Sequence, residues 1–272
     1  MSIDTIIERT GKRPHTAESL AEDLRRLGVK EGMTLLVHSS LSSLGWVCGG
    51  TQAVIAALRD ALGREGTLMM PTHSGDLSEP SAWSNPPVPQ EWWDVIRSTM
   101  PAYKAEETRT YFMGAVPEAF RTYPGVIRSN HPQVSFAAVG PQAQKLTGGH
   151  SLAYGLGEGS PLARLYELDG HVLLLGVGHD SNTSIHLAEY RAAYASKKEI
   201  KNGAPVLDRD GIRRWVEFPD VGIDSDDFER AGADFEVGHS PVIRGRVGSA
   251  EAALMPQRPL VDYAAAWMSL NR

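Results

Sequence analysis

Residues 33–70 read MTLLVHSSLSSLGWVCGGTQAVIAALRDALGREGTLMM, and this stretch decides the fold. Its opening, MTLLV at 33–37, is an unbroken apolar run too short for a helix, the pattern of a strand buried on both faces. His38 stands where that strand ends. A turn rich in serine and glycine follows over 39–50. From Thr51 onward Val54, Ile55, Leu58 and Leu62 recur at helical spacing until Gly63 stops the helix. TLMM at 67–70 is a second short buried strand. Strand, helix, strand in that order predicts a parallel α/β unit with a right-handed connection. Ligands on such sheets gather beyond the carboxyl ends of the strands.

Working outward, Thr16 caps a helix that presents Leu20, Leu24 and Leu27 on one face and stops at Gly28. HVLLLGV at 171–177 predicts a third strand, followed by a helix over 182–195 capped by Ser181 or Asn182. The loops to watch are therefore those after Val37, Met70 and Val177. The stretch 72–101 is crowded with proline and polar residues, so it folds over the surface, with Trp83, Trp92 and Trp93 either capping a pocket or fixing the loop. Beyond Ala204 the short pieces PVLD, RRWVEF and PVIRGRV alternate like antiparallel strands, and 263–270 reads as a closing helix. No internal repeat is present, and 272 residues can share one core. The expectation is a single domain, 1–272, of α/β class: a central, mostly parallel sheet flanked by helices, with a smaller antiparallel C-terminal portion.

Composition narrows the function. The chain carries 27 Lys+Arg against 33 Asp+Glu, a net charge of -6, and the excess sits in 208–236, where ten acidic residues face four arginines. Without a concentrated basic face a nucleic-acid partner is not expected. A cationic ligand becomes a candidate beside the plainer reading of a solubilising surface. Cys48 is the single cysteine and cannot close an internal disulfide, the first residues lack the apolar core of a signal peptide, and no window resembles a membrane span. These features predict a cytoplasmic, reduced protein with no membrane partner.

The motifs of serine hydrolases, zinc proteases and P-loop NTPases are absent. The segment GVGHDSNTSIHLAEYR at 176–191 is the richest. His179 and Asp180 occupy a turn at a strand's carboxyl end, and His186 and Glu189 lie three apart on one helix face. A carboxylate beside an imidazole fixes its tautomer and raises its basicity, which suits a general base near neutral pH; alternatively the two form a solvated surface pair. The turn from His38 to Gly45 with Gly49, Gly50 and Thr51 offers hydroxyls, amides and a helix start to an anionic or amide-bearing cofactor, or is simply a capped turn. Arg128, ahead of Asn130-His131-Pro132 with Ser135 and Phe136, can meet a phosphate or stand as a rim charge. The nine histidines lack the spacing of a strong metal site, so no metal is expected.

HSSLSSLG at 38–45, MPTHS at 70–74, SNHPQVSFAAVG at 129–140, GEGSPL at 157–162 and GVGHDSNTSIHLAE at 176–189 together resemble the aminoglycoside N3-acetyltransferases, also called antibiotic N-acetyltransferases. The resemblance runs in order from about Leu20 to Met268. It implies that family's own α/β fold, distinct from the GNAT acetyltransferases, with acetyl-CoA as donor and the 3-amino group of a 2-deoxystreptamine aminoglycoside as acceptor. It further implies that His186 is the catalytic histidine and Glu189 the acid that follows it. His38, Ser39, Ser40 and Leu41 match the turn along the pantetheine and thioester, and His38 is a candidate at the chemistry as well. Ser42, Thr72, Arg128, His131, Ser135 and Phe136 join the candidate cofactor side. Glu158 and Asp180 match acidic positions on the acceptor side, to which Asp76 and Asp224 are added from the two stretches that match the family least. The implied reaction is direct transfer in a ternary complex, with the serine turn holding the thioester oxygen and Cys48 the one rival nucleophile. Other acceptors stay open, either a biosynthetic amine or, without catalysis, a CoA- or amine-binding module. A homodimer is left open too.

Overall fold

The computed structural model describes residues 2–238 and 241–272. One sheet of seven strands organises it: β1 Thr34–Ser39, β2 Thr67–Pro71, β3 Ile127–Arg128, β4 Phe136–Val139, β5 His171–Leu175, β8 Ile243–Val247 and β9 Ala250–Pro256, in the order β3-β4-β2-β1-β5-β9-β8. The remaining two strands, β6 Glu199–Leu207 and β7 Arg213–Val221, pair antiparallel as a separate hairpin. β1 runs parallel to both β2 and β5, and every further pairing, β2 with β4, β4 with β3, β5 with β9 and β9 with β8, is antiparallel. The parallel centre expected from 33–70 and 171–177 is there. The sheet extends further than expected, through β3, β4 and β9.

Side-chain alternation along the central strands explains their unbroken apolar runs. Leu35 and Val37 enter one buried cluster, with Leu173, Leu175, Leu68 and Met70. Leu36, Val172, Leu174 and Met69 enter the other, on the opposite face. With both faces covered, each position must be apolar. The first face is packed by helices Ala17–Leu27 and Gly50–Leu62. The second is packed by helices Pro161–Glu167, Ser184–Arg191, Phe228–Gly238 and Gln257–Asn271.

Local signals set several boundaries as expected. Thr16 closes a reciprocal capping box with Ser19, and Gly28 ends that helix in the left-handed conformation at φ 111°. Three expectations are corrected. The helix expected over 182–195 is shorter, Ser184–Arg191, because a turn of 3-10 helix at His179–Ser181 precedes it and Ala192 is already extended; Asn182 still caps it in part, its Oδ1 accepting from the Ser184 amide at 3.2 Å. The closing helix starts earlier, at Gln257. The acidic stretch holds strand β7, as RRWVEF predicted, but its last part is the helix Phe228–Gly238, which was not expected and buries Phe228, Ala231 and Phe235. No helix among the described residues is long and apolar enough to cross a membrane.

Because β1 sends its chain to one face and β5, its parallel neighbour, to the other, a crevice opens between their carboxyl ends. The alternation also aims the first residue of interest. His38 shares the parity of Leu36, so its imidazole points to the face that holds helix Ser184–Arg191.

Candidate active site

A cavity of about 820 Å³ occupies that crevice. Its inner wall is His38, Ser39 and Ser40 from the end of β1, Pro71 and His73 from the end of β2, and Asp180, Thr183 and His186 after β5. Ile3, Ile6, Trp46, Phe112 and Met113 make its apolar side. Gly176 lets the β5 loop close against the serine turn: it has φ 73°, and a Cβ there would stand 2.5 Å from that of Ser43.

His186 and Glu189 form a pair whose direction is legible. Nδ1 of His186 meets Oε2 of Glu189. The glutamate side chain is 0% exposed and that of the histidine 15%, so the carboxylate lies on the inner side and the imidazole reaches the cavity. A carboxylate only accepts hydrogen bonds, which places the proton of the neutral ring on Nδ1 and leaves Nε2 with its lone pair. Oε1 of Glu189 accepts from the Asp224 amide at 2.9 Å and from Arg272 at 2.6 Å. The Phe228 ring packs edge-on against the imidazole, centroids 4.7 Å apart.

Opposite stand three buried polar atoms without a hydrogen-bond partner: His38 Nε2, Ser39 Oγ and His73 Nε2. Such atoms are costly to leave unsatisfied, so this wall is built to bind a polar group. Both histidines are neutral at physiological pH. Burial, with His186 nearby, lowers His38 to about 3, and burial first, then the neighbouring histidines, holds His73 well below the ordinary range. The amides of Ser40 and Ser43 are taken by the carbonyls of Leu175 and Ser40, and the Ser40 hydroxyl is engaged by Ser42 and Ser43. Of the turn's hydroxyls, that of Ser39 is buried without a partner, with His38 Nε2 beside it. His73 was not among the candidates, although it stands inside the MPTHS motif and shares the parity of Met69.

Other candidates fall elsewhere. Arg128 is neither a rim charge nor a phosphate ligand in waiting. It is buried, and its guanidinium donates to the hydroxyls of Thr72 and Ser135 and to the carbonyls of Thr72, Ala105 and Thr108. Thr72 and Ser135 are thus partners of Arg128, and Phe136 is a core residue of β4; none of these lines the cavity. His131 is also buried, its ring bound by the carbonyl of Leu152 and the amides of Gln133 and Val134. His179 turns inward to Glu236 at 2.9 Å, under helix Phe228–Gly238, where a Cβ on Gly232 would overlap its ring at 2.1 Å. On the acceptor side Asp180 lines the cavity, whereas Asp76 does not and Glu158 is held by Arg191 at 2.7 Å. Asp224 is exposed and acts through its backbone on Glu189. The acidic segment forms no cavity wall: Asp208 pairs with Arg214, Glu217 with Lys201, Asp227 with Arg272 and Glu236 with Arg244. Cys48 is exposed and does not line the cavity. No group of three or more His, Cys, Asp or Glu among the described residues is placed to hold a metal.

The buried histidines carry a stability prediction. Burial lowers His131 to about 4 and His150 to about 3, below the value near 6.5 of an unfolded chain, so the unfolded state takes up protons first. Their contribution is intact above pH ~6.5 and is lost as pH falls from there toward the folded values, on the order of 2 kcal/mol for each buried histidine by pH 5. Thermal unfolding followed from pH 7 to pH 5 is expected to drop by about 5–10 °C. A flat Tm over that range would show these rings protonating freely in the fold.

A cleft at the switch point of an α/β sheet, with an imidazole oriented by a buried carboxylate and no cysteine on its wall, is the arrangement of a candidate enzyme active site. Residues 36–269 match the model of the aminoglycoside 3-N-acetyltransferase family, and the chain belongs to that family of acyltransferases. It is 49% identical to the SPbeta prophage-derived aminoglycoside N(3')-acetyltransferase-like protein YokD of Bacillus subtilis, over 95% of this chain and 94% of the relative. It is 36% identical to aminoglycoside N(3)-acetyltransferase IX of Micromonospora chalcea, over 94% of each. The crystal structure of YokD superposes with a TM-score of 0.95 at 48% identity, covering 98% of both chains. AAC-IIIb in binary complex with CoASH gives 0.84 at 31% identity, covering 95% of this chain and 97% of that one. AAC-VIa bound to sisomicin gives 0.85 at 30% identity, covering 96% and 99%.

Proposed function

We propose that this protein transfers the acetyl group of acetyl-CoA to the 3-amino group of a 2-deoxystreptamine aminoglycoside, an acetylation that confers resistance, with His186 as general base. The observation that carries the reading is the His186 imidazole, oriented by buried Glu189 and facing a cavity large enough for two substrate ends. An aminoglycoside amine arrives largely as an ammonium and must lose a proton before it attacks. Nε2 of His186 takes it, directly or through one water. Acetyl-CoA supplies the activated acyl group. Ser39 Oγ and His38 Nε2 fit its carbonyl oxygen, since both are buried, lack partners and can donate. The apolar side from Trp46 to Met113 suits the pantetheine arm. Donor and acceptor meet without an acyl-enzyme, in keeping with a cysteine that lies outside the cavity. CoASH bound by AAC-IIIb and sisomicin bound by AAC-VIa support both halves of the reading.

A second reading, acyl transfer to a less highly charged amine, is favoured by one observation. Among the described residues Asp180 is the carboxylate on the cavity wall, a sparse counterpart for a polycation. Thiol release from acetyl-CoA, measured with gentamicin, apramycin and a simple polyamine, separates the two. Release with the aminoglycosides is expected, with an acceptor KM that rises severalfold from low salt to about 0.15 M while the KM for acetyl-CoA moves less. Release with the polyamine alone would select the second reading, and release with none of them would remove both.

A further inference from the structure

Arg272 belongs to none of the motifs quoted above, yet it touches every element that fixes the histidine and glutamate. Its side chain is 8% exposed and contacts Glu189, itself 0% exposed. Nη1 donates to Glu189 Oε1 at 2.6 Å, Nη2 to the carbonyl of Asp224 at 2.7 Å, and Nε and Nη2 to the Asp227 carboxylate at 2.9 and 2.5 Å. Its Cζ lies 5.3 Å from the Tyr194 ring and 5.8 Å from the Phe228 ring, and Phe228 is the ring that packs on His186.

We propose that Arg272 is a positioning residue of the transfer reaction: it locks Glu189 in the rotamer that presents the His186 imidazole to the cavity and ties that glutamate to the loop 222–227. The inference rests on the reading of His186 as base. A buried carboxylate with a single neutral partner would be free to rotate toward water. Two donors on Oε1 fix the carboxylate in place and leave Oε2 directed at Nδ1. The planar fork of arginine spans two carboxylates and a carbonyl at once, which the point charge of lysine does not reproduce.

Among the described residues, the charged and titratable groups facing the pair are few. His38, His73 and Asp180 look at His186 across the cavity, Tyr190 and Tyr194 flank Glu189 from its own helix and the segment after it, and Asp227 and Arg230 stand on the side of helix Phe228–Gly238. Arg272 is the cation in hydrogen-bond contact with Glu189. A positive charge there disfavours a second proton on the pair, so its loss should move the acid limb of the kcat/KM profile upward.

The test measures kcat, both KM values and the pH profile for Arg272→Gln, Arg272→Lys and Asp227→Asn. Arg272→Gln is expected to lower kcat about 10-fold and to raise the acid limb by roughly one pH unit, with the KM for acetyl-CoA unchanged. Arg272→Lys should return the limb to its position and recover part of kcat. Asp227→Asn, which keeps Arg272 and frees more of its charge for Glu189, should move the limb downward and serves if Arg272→Gln does not fold. A limb that stays in place in the folded variants overturns the proposal. His186→Ala in the same assay keeps the two questions apart: full activity there removes the base itself, whereas its inactivity beside an unmoved limb removes only Arg272.

Discussion

Replacing His186 by alanine is expected to lower kcat for acetyl transfer by about 10³- to 10⁴-fold, at the upper end of what a positioned general base supplies. The acceptor must be deprotonated where it attacks, and among the described residues no other side chain on the cavity wall suits that task. His38 and His73 are held neutral, but their burial makes them far weaker bases than free imidazole. Asp180 is exposed on the wall, where it is suited to attracting an ammonium. The fold should survive the change, since the imidazole is at the cavity edge and Glu189 keeps the Asp224 amide and Arg272. A Tm within a few degrees of the parent, with acetyl-CoA still bound, would confine the loss to chemistry. Turnover within tenfold of the parent would sink the base assignment, and Cys48→Ala should have no effect.

How much of this was legible depends on the range of each interaction. The capping box at Thr16 and Ser19 and the stop at Gly28 are local, and the sequence displays them. The central strands are legible because burial on both faces leaves nothing but apolar residues in them. The histidine and glutamate, three apart on a helix, announce their own contact. β9 was missed because AEAALMP mixes small residues with a glutamate, and its place beside β5 depends on pairing across some 80 residues of chain. The helix Phe228–Gly238 was masked by its acidic outer face, which drew attention from buried Phe228 and Phe235. Arg128 shows the deepest limit. Whether an arginine is a rim charge or an internal brace depends on which carbonyls the fold delivers to it, here from Thr72, Ala105 and Thr108. Arg272 is the same case at the active site, 83 residues from the glutamate it holds.

The glutamate itself allows a sharper experiment than its removal. Glu189→Gln preserves shape and volume, and the neighbours dictate how the amide sits. The Asp224 amide and Arg272 both donate to the Oε1 position, so the glutamine oxygen must lie there and its NH₂ must face His186. That NH₂ donates to Nδ1, which forces the ring proton onto Nε2, the nitrogen that has to accept from the substrate amine. A structurally mild change thus installs the wrong tautomer, and kcat is expected to fall on the order of 10²- to 10⁴-fold with both KM values within about threefold of the parent. Stability should fall by about 1–3 kcal/mol, because the Arg272 guanidinium loses a charged partner but keeps Asp227. Glu189→Ala would destabilise further, by opening a cavity beside His186 and leaving the Asp224 amide unsatisfied while Arg272 keeps Asp227, and its low activity would not separate chemistry from folding. Steady-state kinetics with Tm on the glutamine variant do separate them. Near-parental kcat in folded Glu189→Gln would mean that the tautomer is not set by this residue, and the geometry at Oε1 and Oε2 would then be a brace for the helix alone.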